Sequence, residues 1–161
     1  MSKYSISILN LNPTATAING TTSVGISVGE GTAGKIAEIT EIITTGAGNV
    51  APADRMHRCY GGYSDTTAGS GTTPTITAWG QPQTASALTA IVAASVALTV
   101  LDTAYPIIYG FNQRGGMRFS VPQGEGLTIA GGATKNRFVT QIISDAAGNV
   151  DQMMAWWEKN N

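Results

Sequence analysis

His57 and Cys59 stand two residues apart in Asp54-Arg-Met-His-Arg-Cys-Tyr60, where the reactive side chains of the chain are densest. A thiolate beside an imidazole can act as a nucleophile, and the same two side chains can share a metal ion. A catalytic Cys–His pair usually comes from segments far apart in sequence, and a zinc site takes three or four ligands. Only Asp54 and Asp65 lie close enough in the chain to complete such a set. With one cysteine and one histidine in 161 residues, an internal disulfide and a multi-cysteine zinc site are both excluded. The plainer reading is a strand in which Cys59 packs as a small hydrophobe. Arg55 and Arg58 then face water or a partner.

Gly29, Gly31 and Gly34 spell G-x-G-x-x-G directly after a strand candidate, Thr22 to Val28. A dinucleotide site also needs a helix after the glycines and an acid about 20 residues further on. The apolar run that follows breaks early, at Gly46, and Asp54 falls in a loop-rich stretch. A phosphate-binding G-x-x-x-x-G-K-[ST] loop is absent, because Ile36 follows Gly34-Lys35. Glu30 and Glu125 occupy matching Gly-Glu-Gly turns, and a glycosidase would need such a pair ~5–10 Å apart across a sugar cleft. They read as exposed turn acids. The expectation is therefore no catalytic set, no cofactor and no metal, and a protein that is not an enzyme.

The elements that would position any site are mostly strands. Thr, Ile and Val number 21, 15 and 9 against six Leu, and β-branched side chains favour extended backbone. Tyr4, Ile6 and Ile8 alternate with Ser5 and Ser7, the period of a strand with one buried face. Val24, Ile26 and Val28 repeat the pattern, and an apolar run follows with Ile36, Ile39, Ile42 and Ile43. Ile107 to Phe111, Met117 to Val121, Leu127 to Ala130 and Asn136 to Ser144 are further strand candidates. Asn49 to Pro82 is rich in Gly, Pro, Ser, Thr and Asp and reads as long loops around short strands. Ala85 to Leu101 reads as a buried strand pair or as a helix, with the strands slightly favoured. Asn149 or Asp151 caps a short expected helix through Met153, Met154, Trp156 and Trp157. Many short strands punctuated by Gly and Pro predict an all-β antiparallel β-sandwich or jelly-roll-like barrel, with long loops and a short C-terminal helix. One domain is expected over residues 1–161, with a loop-rich insertion at 49–82 and a C-terminal tail at 151–161.

The chain also echoes itself. Residues 35–50 and 135–150 align without gaps, with eight of sixteen positions identical and a shared Ala-Gly-Asn-Val ending. A repeated turn–strand–turn and coincidence in a biased composition both account for it.

Charged residues are only 12% of the chain, the formal net charge is −1, and the pI is about 5.7. That balance argues against a nucleic-acid partner. Ala85 to Leu101 is too short and too polar for a membrane span, so no membrane partner is expected. The start of the chain lacks the apolar core of a secretion signal, and synthesis in a reducing cytoplasm is expected.

Two stretches carry a resemblance: Gly25 to Ile43 (GISVGEGTAGKIAEITEII) and Gly116 to Leu127 (GMRFSVPQGEGL). Together they cover under a third of the chain. Their texture resembles the small head-decoration, or cement, proteins of tailed bacteriophages, and more loosely other β-sandwich virion proteins. The resemblance implies a structural virion protein on the capsid surface, with a major capsid protein and further copies of itself as partners, as a homotrimer. It brings no catalytic residues. Residues suited to partner contact are Arg55, Arg58, Tyr60, Tyr63 and Trp79, and the tail residues Met153, Trp156 and Trp157. Met153 with Trp156 or Trp157 is expected to form a buried anchor. The alternative is a receptor- or carbohydrate-binding β-sandwich module of a phage tail or surface adhesin, with Trp79, Tyr60, Tyr63 and Asp65 as the sugar-facing group.

Overall fold

The period-2 segments of the chain fold as strands in a computed structural model, which describes residues 1–13, 25–29, 31–47, 54–64, 71–80, 85–92, 106–131, 137–144 and 148–159. The protein is all-β, and there is no helix among the described residues. In chain order the strands are β1 (Ser2–Leu11), β2 (Ile26–Gly29), β3 (Ile36–Gly46), β4 (Met56–Ser64), β5 (Thr77–Trp79) and β6 (Thr89–Val92). They continue as β7 (Ile107–Asn112), β8 (Gly116–Ser120), β9 (Leu127–Ala130), β10 (Arg137–Ser144) and β11 (Val150–Lys159). One antiparallel sheet runs β5-β1-β11-β3-β8, with β9 also on β3; the other runs β6-β2-β10-β4-β7.

The two sheets bury one shared apolar cluster. Tyr4, Ile6, Ile39, Ile42, Met154 and Trp156 come from the first sheet, and Ile26, Val28, Val92 and Phe138 from the second. Close approach fixes the glycine at position 61, where an added Cβ would lie 2.8 Å from the Phe138 ring.

The expected C-terminal helix is instead β11, which lies between β1 and β3 near the middle of the larger sheet. Its buried pattern has period 2: Val150, Gln152, Met154, Trp156 and Glu158 are all buried. The strand gains ladder bonds on both sides, which a short isolated helix cannot match. The anchor is accordingly Met154 with Trp156, both fully buried, while Met153 and Trp157 are only half-buried. The adjacent tryptophans point to opposite faces of the sheet by strand alternation.

Residues 49–82 hold more regular structure than their composition suggests. β4 is nine residues long and pairs with both β10 and β7. Its alternating inward residues His57 and Cys59 explain this, since both are fully buried. Within Ala85 to Leu101 the strand reading holds for Thr89–Val92; residues 93–101 lie outside the described residues.

A bulge phases the larger sheet. Ala155 pairs with Glu41 and Trp156 with Ile39, so β3 carries one extra residue, Thr40. Ala37 and Ile39 face the core before it, and Ile42 and Thr44 after it. A one-residue insertion of this kind moves the remaining side chains to the opposite parity. At the same level the edge partner of β3 is interrupted: β8 pairs with 41–45 and β9 with 36–39. Residues 121–126 leave the sheet between them, with Val121 N–H donating to Thr40 O at 3.0 Å.

The sequence echo has a structural counterpart. β2 and β4, which flank β3 in the chain, pair with β10; β9 and β11, which flank β10, pair with β3. The two echoing strands thus exchange their neighbours across the two sheets. Their connections also meet, since Gly34 N–H donates to Gly131 O at 3.2 Å and Ala47 N–H to Asn149 O at 3.1 Å.

Candidate functional site

The sequence pointed to Cys59 and His57, and the structure buries both completely. The His57 ring stacks on Phe111, with centroids 5.3 Å apart. Cys59 lies in a polar network between the sheets. Gln152 of β11 donates through Nε2 to Thr44 Oγ1 at 3.2 Å and to Cys59 Sγ at 3.6 Å. Thr140 of β10 donates to Gln152 Oε1 at 2.8 Å and accepts from Ile26 N–H at 3.0 Å. The Thr44 and Tyr109 hydroxyls bond at 2.8 Å. Five strands, two from one sheet and three from the other, therefore share side-chain hydrogen bonds through Gln152 and Thr44. Hydrophobic contact alone allows sheets to slide, whereas a satisfied network fixes their relative register.

This setting makes Cys59 a poor nucleophile. Burial pushes its thiol up to about 11 from an ordinary value of 9.0, against smaller lowering effects of bonds to Tyr109, Gln152 and Thr44. Thiolate is the reactive form, so the residue is held in its unreactive state. Burial also raises the Tyr109 phenol. Between pH 9 and 11 an unfolded chain has released the cysteine proton that the fold retains. Stability is then complete below pH 9 and falls as pH rises through 11, by about 2–3 kcal/mol from this thiol. Denaturant melts from pH 8 to 11 are expected to show this loss, and Cys59→Ala is expected to flatten it. An unchanged alkaline limb in the variant would contradict the assignment.

Two buried carboxylates, missed in the sequence, hold loops. Glu38 is 2% exposed, and its Oε1 accepts from Gly124 N–H and Gly126 N–H, each at 2.6 Å. This grips the 121–126 excursion, whose turn closes from Glu125 N–H to Pro122 O at 3.2 Å, with Gly124 at φ +100°. A glycine accepts that left-handed position without strain. Glu158 does the same for the lead-in to β6: Oε2 accepts from Ala87 N–H at 2.9 Å, and Oε1 accepts from Ser86 Oγ and from Trp156 Nε1. Charge-assisted bonds of this kind are each worth about 1.5–3 kcal/mol. Glu38→Ala is expected to speed hydrogen exchange at Gly124 and Gly126 at least tenfold, while Glu38→Gln retains much of the protection. Equal protection in Glu38→Ala and the unaltered protein would refute the clamp.

Arg137 is also fully buried, and its Nε donates to Ser27 Oγ at 2.7 Å. On the outer face of the larger sheet, Glu41 bridges Arg118 at 2.6 Å and Lys3 at 3.8 Å. Lys3 reaches it over the small side chain of Ala155, which pairs with both Ser5 and Glu41. The Lys3 ammonium also lies 3.8 Å from the Trp79 ring centroid, and the Trp79 indole donates to Ser5 Oγ at 2.8 Å.

The residues expected to touch partners do not converge. Arg55, Arg58, Tyr60 and Tyr63 belong to β4 or its approach, whereas Trp79 ends β5 at the far edge of the other sheet. Tyr63 packs edge-on against Phe138 at 5.6 Å, and Trp156 is core. Glu30 and Asp65 lie outside the described residues. The G-x-G-x-x-G stretch leads into β3, a strand where a dinucleotide site requires a helix. Among the described residues no group of three or more His, Cys, Asp and Glu side chains is placed to hold a metal ion, and no helix is long and apolar enough to cross a membrane.

Leu9, Met1 and Trp79 are exposed on or beside β1 and β5, and three further apolar side chains share the opposite edge. Met56, Ile108 and Met117 are 54%, 59% and 45% exposed. Ile108 and Met117 line one cleft of about 330 Å³ between β7 and β8, and Met56 lies against Gly110 of β7. Comparison of the chain with protein-family models, with curated proteins and with solved structures finds no match.

Proposed function

We propose that the protein is a non-catalytic structural subunit: a β-sandwich that decorates a virus capsid shell, contacting the major capsid protein and neighbouring copies of itself. One observation carries this reading. Cys59, Glu38 and Glu158 serve as internal fasteners, while Met56, Ile108 and Met117, three of the six large exposed apolar side chains among the described residues, group at the β4–β7–β8 edge. Cys59, Glu38 and Glu158 are each engaged in holding a strand or loop. An enzyme needs such groups at an accessible cleft with shifted proton affinities suited to reaction. Exposed apolar clusters instead mark association surfaces. The resemblance of the Gly25–Ile43 and Gly116–Leu127 stretches to phage cement proteins gives the partner class. Capsid decoration also accounts for the sparse charge, since a subunit held in a lattice needs little of it for solubility.

The test is sedimentation of purified protein with heads isolated from the virus that encodes it. Saturable co-sedimentation at a fixed number of copies per shell is expected. Protein that stays in the supernatant at micromolar concentration would overturn the reading. A second reading, a carbohydrate-binding module, is favoured by Trp79 alone, which is 45% exposed at the β5 edge. Its ring is partly covered by Lys3, so a sugar would have to displace that ammonium or stack on the opposite face. Defined glycan binding abolished by Trp79→Ala would favour this second reading.

A further inference from the structure

We infer that the splayed edges of β7 and β8 form a docking groove for an extended segment of a partner chain, with acidic side chains alternating with apolar ones. The inference rests on the shell-binding reading only for the partner's identity; the chemistry of the segment comes from the groove itself.

β7 and β8 are consecutive strands joined by a tight turn, in which Gly115 N–H donates to Asn112 O at 2.9 Å. They nevertheless enter different sheets. Two strands that start together and diverge leave a wedge between them. Each is also the last strand of its sheet among the described residues. Such edges present unpaired backbone N–H and C=O groups that an added strand can satisfy.

The wedge is lined by apolar side chains together with Arg118 and Ser120. Ile107 and Tyr109 line it from β7, and Met117 and Phe119 from β8. Its volume of about 330 Å³ matches the low end of ligand-sized cavities, enough for one or two buried side chains. Ile108 stands on one rim, 59% exposed.

Charge decides the rest. The chain is acidic overall, with nine Lys+Arg and ten Asp+Glu. Yet Arg114 and Arg118 lie on this edge, Arg55 sits against the β7–β8 turn, and Arg58 lies one strand in, on β4. Arg118 lines the cleft, and Arg58 pairs in register with Gly110 of β7. The Arg55 carbonyl accepts from Gln113 in the β7–β8 turn at 2.9 Å. Arg114 occupies that turn and bridges Asp54 at 3.0 Å. Among the described residues only Asp54 and Glu41 answer these four arginines. A segment with carboxylates at alternate positions meets this surplus on one face and fills the wedge with the other, since strand side chains alternate. A nucleic acid would also meet the charge, but it would leave the apolar side of the wedge and the β7 and β8 edges, unpaired among the described residues, unused.

The test is amide chemical-shift mapping of the full-length protein with three probes: an acetylated, amidated Val-Glu-Val-Glu-Val-Glu peptide, its Val-Lys counterpart, and a DNA duplex. Shifts at residues 107–112 and 116–120 with the glutamate peptide only, weakened at least threefold by 0.5 M salt and lost in Ile108→Glu, are expected. Absence of those shifts, shifts that map elsewhere, equal shifts with the lysine peptide, or a response to DNA alone would each overturn the proposal. None of these outcomes depends on whether the protein binds heads, so the groove and the shell reading fail separately.

Discussion

Removing residues 152–161 is expected to abolish folding, not to leave a folded subunit that attaches poorly. The deletion takes out nearly all of β11, the strand that joins β1 to β3. β1 would lose its long partner and keep only the three-residue β5. Trp156 alone accounts for much of the loss. It is fully buried, its ring centroid lies 6.2 Å from that of Tyr4, and its indole N–H bonds to the Glu158 carboxylate at 3.1 Å. Trp156→Ala is expected to cost about 3–5 kcal/mol, a large part of the about 5–15 kcal/mol that holds a domain folded. Far-ultraviolet circular dichroism and amide dispersion check both variants. A truncated chain with a dispersed, strand-like spectrum would show that β11 is dispensable and the topology wrong.

The second large effect is expected at Gln152. Truncation to alanine removes the side-chain bonds to Thr140, Thr44 and Cys59 and opens a cavity beside Cys59, while Thr140 keeps its bonds to Ile26 and Thr44 its bond to Tyr109. Each lost hydrogen bond costs about 0.5–1.5 kcal/mol, and the lost volume adds to that. A total of about 3–5 kcal/mol is expected in denaturant melts. The partners act as a unit, so Gln152→Ala combined with Thr140→Val is expected to cost less than the two single losses together. Strict additivity would show that Gln152 and Thr140 are not coupled and that the network does not lock the sheets.

These two residues also show why the sequence was legible only in places. Where inward residues are apolar and outward ones polar, as in Tyr4, Ile6 and Ile8 against Ser5 and Ser7, the strand is plain from the pattern. In β11 the contrast disappears. Its inward residues are Val150, Gln152, Met154, Trp156 and Glu158, and its outward ones include Met153, Ala155 and Trp157. Polar side chains turned inward to make the network and the Glu158 clamp erased the alternation, and a helical spacing of Met and Trp took its place. Glu38 and Glu41 were hidden for a similar reason. In an isoleucine-rich run they look like surface acids, and only the fold shows one holding a glycine loop and the other joining Lys3 to Arg118. The bulge at Thr40, which lets both lie on the outer face beside inward isoleucines, has no signature in the residue types. Cys59 is buried as a small side chain, as its setting predicts. Its position in a network spanning both sheets required the pairing of distant strands. The echo between residues 35–50 and 135–150 was visible in sequence; its meaning as reciprocal strand exchange was not, because pairing partners lie outside the echoing segments.

The role proposed for this chain is that of a structural component of a virus shell. Quantitative mass spectrometry of purified particles, separated into heads and tails, tests it most directly. The protein is expected in the head fraction at a fixed ratio to the major capsid protein, with release of intact chain without any bound cofactor. Its absence from purified particles, or its presence in tails alone, would contradict the account.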